Sequence, residues 1–170
     1  IKDISVVLLG AGKSKRFDSN TLKQNVKIHN KRVIDYSVDF FRKHFNVSKK
    51  YFVINKKIQL KTLTENEHVL YGSSSRLKSL SNCLNYISRN NLQTKYLLVH
   101  DIARPVLNLT DIKKIIRDIH KKVDGSALGY PLTNAVKEVK NNNIYYNIYK
   151  NNLWSTFTPQ IFKMEKLYHS

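Results

Sequence analysis

Residues 4–16 read ISVVLLGAGKSKR, an apolar segment that leads into a glycine-rich turn and then into a group of cations. A continuous apolar run of this kind predicts a strand that is buried on both faces, as in a parallel sheet. The small residues Gly10, Ala11 and Gly12 would let a ligand approach the backbone, and the cations that follow suit phosphate. The segment therefore predicts a first strand that opens into an anion-binding loop.

Two familiar phosphate-binding motifs do not fit this loop. A Walker A motif would need a glycine at position 7, where the chain has Val7. A dinucleotide-binding fingerprint would need a glycine at position 15, where the chain has Lys15. What remains is a loop of small residues followed by Arg16 and Lys23, two cations able to flank a triphosphate. From the loop alone, a solvated basic turn stays open as the alternative.

Apolar segments of helical and strand type alternate along the rest of the chain. They are helices at 31–45, 75–88 and 110–123, and strands at 51–54, 95–99 and 126–130. The alternation predicts a Rossmann-like three-layer α/β fold, with a mainly parallel sheet and helices on both faces. We expect one domain over residues 1–170, since this length can bury one core of ordinary size. Thr110 is the predicted N-cap of the third helix, and Cys83 and Trp154 are predicted core residues.

The carboxyl ends of two predicted strands carry polar sequences that should form one site. The loop at 10–16 follows the first strand, and the box HDIARP at 100–105 follows a later one. Ligands of open α/β sheets bind at this edge, so we expect the two sequences to meet there. Asp101 is predicted to be functional, because an acidic residue at a strand end is unusual in so basic a protein. His100 is predicted to be a structural hydrogen-bonding residue.

Residues 136–139 and 144–149 predict a β-hairpin with a polar turn. Its second strand carries Tyr145, Tyr146 and Tyr149, which we expect to be exposed. A protruding arm with exposed aromatic residues needs a partner, so the hairpin is a predicted protein contact.

The charge of the chain suggests an anionic partner. Lys and Arg number 30 against 12 Asp and Glu, which gives a net charge of +18. The cations are spread along the chain beside abundant Asn, Ile and Tyr, as in proteins of AT-rich genomes, so we expect small phosphorylated ligands and not nucleic acid. A basic nucleic-acid-binding module without catalysis is the alternative from another class, and its binding would weaken steeply with salt. We expect no membrane partner, because no apolar run approaches the roughly 20 residues of a membrane span.

Five short motifs follow one another in register from about Ile4 to Leu167. They are the loop at 10–16, Lys23-Gln24, the turn GSSSRLKS at 72–79, the box HDIARP at 100–105, and Leu153-Trp154 with Thr158-Pro159-Gln160. Together they resemble the 2-C-methyl-D-erythritol 4-phosphate cytidylyltransferases of non-mevalonate isoprenoid synthesis. The resemblance implies transfer of CMP from CTP to the methylerythritol phosphate, which yields 4-diphosphocytidyl-2-C-methyl-D-erythritol and pyrophosphate. It also implies Mg²⁺ and a homodimer formed through the arm at about 133–152. A ribitol-5-phosphate cytidylyltransferase is the close alternative.

The resemblance also implies a role for individual residues. Arg16 and Lys23 would be catalytic, stabilising the negative charge at the α-phosphorus of CTP. The implied nucleotide-binding residues are Gly10, Ala11, Gly12, Ser73, Ser74, Ser79 and Ile102. The implied acceptor-binding residues are Asp101, Arg104, Ala135, Lys150 and Thr158. Asp101 is also a candidate metal ligand, and otherwise the metal would bind through the phosphates of CTP.

The chain departs from the family pattern at several points. Gly72-Ser73-Ser74 stands where the family usually has Gly-Gly-Asp, Ala135 where it has Thr, and Lys150 where it has Arg. The last change keeps the charge but loses bidentate geometry. The family continues beyond the position of Ser170, so we expect this sequence to be part of a longer chain. The resemblance implies a bacterial or plastid-type location. Because the chain is rich in lysine and asparagine, we expect an apicoplast-like matrix, with the bacterial cytoplasm as the alternative.

Overall fold

The protein has a mixed α/β fold built around one six-stranded sheet. The structure is a computed structural model that describes residues 3–12 and 22–168. Its strands are β1 (Ile4–Gly10), β2 (Lys27–Ile28), β3 (Lys31–Arg32), β4 (Lys50–Ile54), β5 (Glu67–Tyr71), β6 (Tyr96–Asp101), β7 (Gly125–Pro131), β8 (Val136–Lys140), β9 (Asn143–Ile148) and β10 (Trp154–Lys163). Its helices are α1 (Val33–His44), α2 (Arg76–Arg89), α3 (Leu109–Asp118) and α4 (Met164–Leu167), with a 3₁₀ turn at Lys23–Asn25.

The central sheet is mainly parallel, as the sequence predicts. Its strand order is β5-β4-β1-β6-β10-β7. Strand β1 pairs in parallel with both β4 and β6, and every residue of β1 is buried. The continuous apolar run at the start of the chain is therefore the centre of the sheet. Because parallel strands end at the same edge, β1, β4, β5 and β6 all deliver their following loops to one side of the molecule.

Helices cover both faces of the sheet and bury a separate apolar cluster on each. Alternate residues of β1 point to opposite sides, so Val6 joins one cluster and Val7 the other. Helices α1 and α3 pack on the face of Val6, and α2 packs on the face of Val7, where Cys83 is fully buried as predicted. This arrangement confirms the three-layer prediction. No helix within residues 3–12 and 22–168 is long and apolar enough to span a bilayer.

Five details of the sequence prediction are wrong or incomplete. Strand β10 was not predicted, although it pairs antiparallel with both β6 and β7 and contains Trp154. The side chain of Trp154 is 59% exposed, because it lies at the start of β10 beyond the part that pairs with β6. The edge strand β5 was also missed. Helix α3 is capped by Asn108 and not by Thr110, because the Asn108 amide oxygen accepts hydrogen bonds from the N–H groups of Thr110 and Asp111. It ends at Asp118, earlier than predicted.

Strands β8 and β9 form the predicted hairpin as a separate two-stranded sheet. Asn141 and Asn142 make the turn with φ of 49° and 62°, left-handed values that asparagine tolerates better than most residues. The predicted tyrosines are exposed, with Tyr145 at 61% and Tyr149 at 77%. The hairpin therefore presents aromatic side chains to its surroundings.

Candidate active site

A cleft of about 310 Å³ lies at the carboxyl ends of the parallel strands. Its walls come from the loop after β1, the 3₁₀ turn, the turn before α2, and the box after β6. A main-chain hydrogen bond joins the end of β1 to the box after β6, because Ile102 N–H donates to the Leu9 carbonyl at 2.9 Å. The predicted meeting of the loop at 10–16 with the HDIARP box is confirmed for their described residues.

The small-residue loop, Gly10 to Gly12, forms the floor of the cleft at the end of β1. A Cβ at Gly10 would lie 2.4 Å from Ile102 Cγ2, so only glycine fits there. Ile102 itself is fully buried beneath the loop and does not line the cleft, although the resemblance implies a nucleotide contact for it. Its observed role is to support the loop from below.

The serine turn, residues 72–75, joins β5 to α2 and is fastened by one hydroxyl. Ser79 Oγ accepts a hydrogen bond from Ser73 N–H at 2.9 Å and donates to the Ser75 carbonyl at 2.8 Å. Ser75 in turn caps α2 by accepting from the Lys78 N–H. Ser74, Ser75 and Ser79 line the cleft, while Ser73 does not. The observed function of Ser79 is thus to shape the turn that faces the cleft.

Gly72 is the point where the serine turn contacts the small-residue loop, and we expect Gly72→Ala to destabilise the protein. A Cβ there would lie 2.1 Å from Ala11 Cβ and 2.8 Å from Ser79 Oγ. Overpacking of this kind lowers the free energy of unfolding by about 1–3 kcal/mol. Gly12→Ala is the matched control, because no atom of the described residues lies within 4 Å of a Cβ there. Chemical denaturation measures both variants, and equal stabilities would contradict the steric argument.

Asp101 bridges two arginines across the cleft. Arg76 Nε, at the start of α2, donates to Oδ1 at 3.0 Å, and Arg104 Nε donates to Oδ2 at 3.3 Å. The Asp101 side chain is 28% exposed, so all three groups remain accessible to a ligand. Arg76 stands in the motif that carries the resemblance, but its contact with Asp101 was not predicted, because the two residues are 25 positions apart.

His100 holds the backbone of this box through a relay of hydrogen bonds. Its Nε2 lies 3.1 Å from the Arg104 carbonyl, which can only accept, so Nε2 carries the proton. Nδ1 therefore accepts from the Thr158 hydroxyl at 3.1 Å, and Thr158 Oγ1 accepts from Asp101 N–H at 3.2 Å. Burial lowers the pKa of His100 to about 4, so the ring is neutral at neutral pH. The structural role predicted for His100 is confirmed.

The Thr158 hydroxyl is engaged in these hydrogen bonds with His100 and Asp101. The resemblance implies instead that Thr158 contacts the acceptor phosphate. The residue is 8% exposed and does not line the cleft, because its hydroxyl is turned inward to His100. Its observed role is to support Asp101 from behind. Contact with an acceptor stays a prediction.

The remaining site residues named from the sequence lie in three places. Lys23 lines the cleft and is exposed. Ala135 and Lys150 line a different groove at the base of the hairpin, where Lys150 Nζ donates to the Thr133 carbonyl. Arg16 lies outside the described residues. The structure thus brings Lys23, the small-residue loop, the serine turn, Asp101 and Arg104 together, and leaves the hairpin residues apart from this cleft.

The described part of the cleft has one acidic residue, Asp101, among several cations. No group of three or more His, Cys, Asp or Glu side chains in residues 3–12 and 22–168 is arranged to hold a metal ion. Mg²⁺ is commonly held by one or two carboxylates together with substrate phosphates. A single carboxylate of this kind fits a metal ion that arrives with a polyphosphate.

A mainly parallel sheet with a cationic cleft at its carboxyl edge is typical of nucleotide-binding α/β proteins. The family model described as "IspD: 2-C-methyl-D-erythritol 4-phosphate cytidylyltransferase" matches residues 4–170. The chain belongs to this family.

Individual relatives agree with this assignment. The protein of that name from Wigglesworthia glossinidia brevipalpis is 31% identical over 170 residues, which cover 97% of this chain and 72% of the relative. The one from Buchnera aphidicola is 27% identical, over 96% of this chain and 70% of the relative. The crystal structure of the Francisella tularensis enzyme superposes with a TM-score of 0.79 at 23% identity, over 95% of this chain and 73% of that one. This last likeness establishes the fold.

Proposed function

We propose that this protein transfers the cytidylyl group of CTP to 2-C-methyl-D-erythritol 4-phosphate, giving 4-diphosphocytidyl-2-C-methyl-D-erythritol and pyrophosphate. The observation that carries the proposal is the family match over residues 4–170, and the cleft supplies the chemistry. Lys23, Arg76 and Arg104 make the cleft cationic, which suits binding of a triphosphate and a polyol phosphate.

To catalyse this reaction, the protein mainly has to position the two substrates and to stabilise negative charge on the phosphate. An oxygen of the acceptor phosphate forms a bond to the α-phosphorus of CTP, and the bond from that phosphorus to the pyrophosphate oxygen breaks. Negative charge grows on the nonbridging oxygens as this happens. We assign its stabilisation to Lys23 together with Arg16, while the small-residue loop and the serine turn hold the nucleotide. Asp101 and Arg104 would orient the acceptor.

We further propose that Mg²⁺ accompanies CTP. When bound, the ion neutralises part of the triphosphate charge and favours departure of pyrophosphate. Asp101 is the described carboxylate able to contact it, after exchange of one of its arginine partners.

Pyrophosphate release tests the proposed function. The purified protein should release pyrophosphate only when CTP, Mg²⁺ and the methylerythritol phosphate are all present, and should do so poorly with ATP or GTP. Ribitol 5-phosphate serves as a competing acceptor, and preference for it would move the assignment to the alternative cytidylyltransferase. Tight binding of nucleic acid at physiological salt without any response to CTP would reject the enzyme.

We propose a homodimer formed through the hairpin of β8 and β9. Its Ile144, Tyr145 and Tyr149 are large exposed side chains that contact with a second copy could bury. The wild-type protein should sediment as a dimer and Ile144→Asp as a monomer, because the new carboxylate would be buried at the contact. Leu63→Asp is the matched control, since Leu63 is an exposed leucine outside the hairpin. A monomeric wild type would refute this proposal.

A further inference from the structure

Gln24 is a buried glutamine that reaches under the small-residue loop. It belongs to the 3₁₀ turn Lys23–Asn25, and 1% of its surface is exposed. Its amide Nε2 donates to the Gly10 carbonyl at 2.8 Å and to the Gly12 carbonyl at 3.2 Å. One side chain therefore contacts both ends of the small-residue loop.

These two hydrogen bonds fix the direction of the loop's peptide groups. A primary amide nitrogen carries two hydrogens, and here each has a carbonyl acceptor. A trans peptide unit is planar, with its N–H opposite its C=O. Turning the Gly10 carbonyl towards Gln24 thus turns the N–H of Ala11 the opposite way. The loop's presentation of backbone donors depends on an amide that is 14 positions further along the chain.

The same residue links the loop to Lys23. Within the 3₁₀ turn, Asn25 N–H donates to the Leu22 carbonyl at 2.8 Å. Val26, the residue after the turn, is tied to the start of α1, because its carbonyl accepts from Val33 N–H at 2.9 Å. Gln24 adds the connection from this turn to the loop itself. Lys23 immediately precedes Gln24 in the same turn and lines the same cleft, so its position relative to the loop depends on Gln24.

We propose that Gln24 is a positioning residue for the nucleotide, which orients the small-residue loop and sets its distance from Lys23. The inference rests on the proposed function and deepens it on the nucleotide side of the cleft. Asp101 and Arg104, on the other side, are held by the His100 relay and not by Gln24. Loss of the Gln24 amide should therefore raise the KM for CTP much more than the KM for the acceptor.

Gln24→Glu tests this inference, because a carboxylate cannot donate to two carbonyls and would repel both. Gln24→Met removes the donors without adding charge, and it provides the test if Gln24→Glu does not fold. We expect the KM for CTP to rise about tenfold or more, the size expected for losing a buried hydrogen bond. The KM for the methylerythritol phosphate should stay within about twofold, since the interactions on that side are unchanged. Gln59→Met, at an exposed glutamine, is the matched control and should behave as wild type.

Calorimetric titration with CTP alone supplies a second readout that does not depend on turnover. Weaker CTP binding by a folded Gln24 variant supports the positioning role. Unchanged CTP affinity, equal changes in both KM values, or failure of both variants to fold would overturn it, because Gln24 would then matter only for the structure or not at all. A wild-type protein without cytidylyl transfer would instead reject the proposed function.

Discussion

Lys23→Ala should lower kcat for cytidylyl transfer by about 10²–10³-fold, the size of effect seen when one transition-state donor is removed. Lys23 lines the cleft beside the small-residue loop. In the proposed reaction it would supply positive charge where the α-phosphoryl group becomes more negative. Because this charge grows during the reaction, the loss should fall on kcat more than on the KM for CTP. Steady-state pyrophosphate release measures both constants.

Lys27→Ala is the matched control for this experiment. Lys27 is an exposed lysine in β2, four positions further along, and it does not line the cleft. Its removal should leave kcat within about twofold, as exposed substitutions away from a site commonly do. Near wild-type turnover by Lys23→Ala, or an equal loss in both variants, would show that the cleft does not carry the chemistry assigned to it.

Asp101→Asn should lower kcat/KM for the methylerythritol phosphate by about 10²-fold. The substitution removes the negative charge of a carboxylate that accepts hydrogen bonds from Arg76 and Arg104 and holds both side chains in place. Without the carboxylate, Arg76 and Arg104 lose the charge that holds them in place across the cleft. The two arginines would then repel each other, and the acceptor would meet a disordered pair of cations. The KM for CTP should change less, since the small-residue loop does not depend on Asp101 for its hydrogen bonds.

Asp124→Asn is the control for Asp101→Asn. Asp124 also contacts two cations, Lys163 at 3.3 Å and Lys166 at 3.9 Å, but it lies outside the cleft. The comparison separates loss of a bridging carboxylate in general from loss of this one. Similar kinetics for the two variants would contradict the assignment of the acceptor side to Asp101.

The central half of the fold could be predicted because it obeys local rules. The apolar run of β1 and the helical spacing of α1 are visible in short windows of sequence. The carboxyl-edge rule then placed the loop at 10–16 and the HDIARP box together without any coordinates. Position in the chain and strand direction were sufficient for this part of the site.

The rest depended on contacts between distant residues. Strand β10 contains Pro159, which interrupts a strand pattern, and its pairing with β7 shifts register between Phe157 and Gln160. Strand β5 begins at Glu67, a buried acid. Burial alone would raise the pKa of Glu67, but hydrogen bonds from Arg42 to both carboxylate oxygens and from the Thr64 N–H leave it lowered. No short stretch of sequence around Glu67 indicates that Arg42, 25 positions away, is its partner. The bonds made by Gln24 and Arg76 were invisible for the same reason.

The position of β10 has a consequence for the order in which the molecule can be assembled. Thr158 contacts His100 across 58 positions of chain, whereas β1, β4, β5 and β6 all end at or before Asp101. On the ribosome, β1, β4, β5 and β6 emerge first, and until β10 follows them β6 presents an unpaired edge to the cell. The nascent protein is thus open to wrong strand pairing along β6, the strand that ends at Asp101.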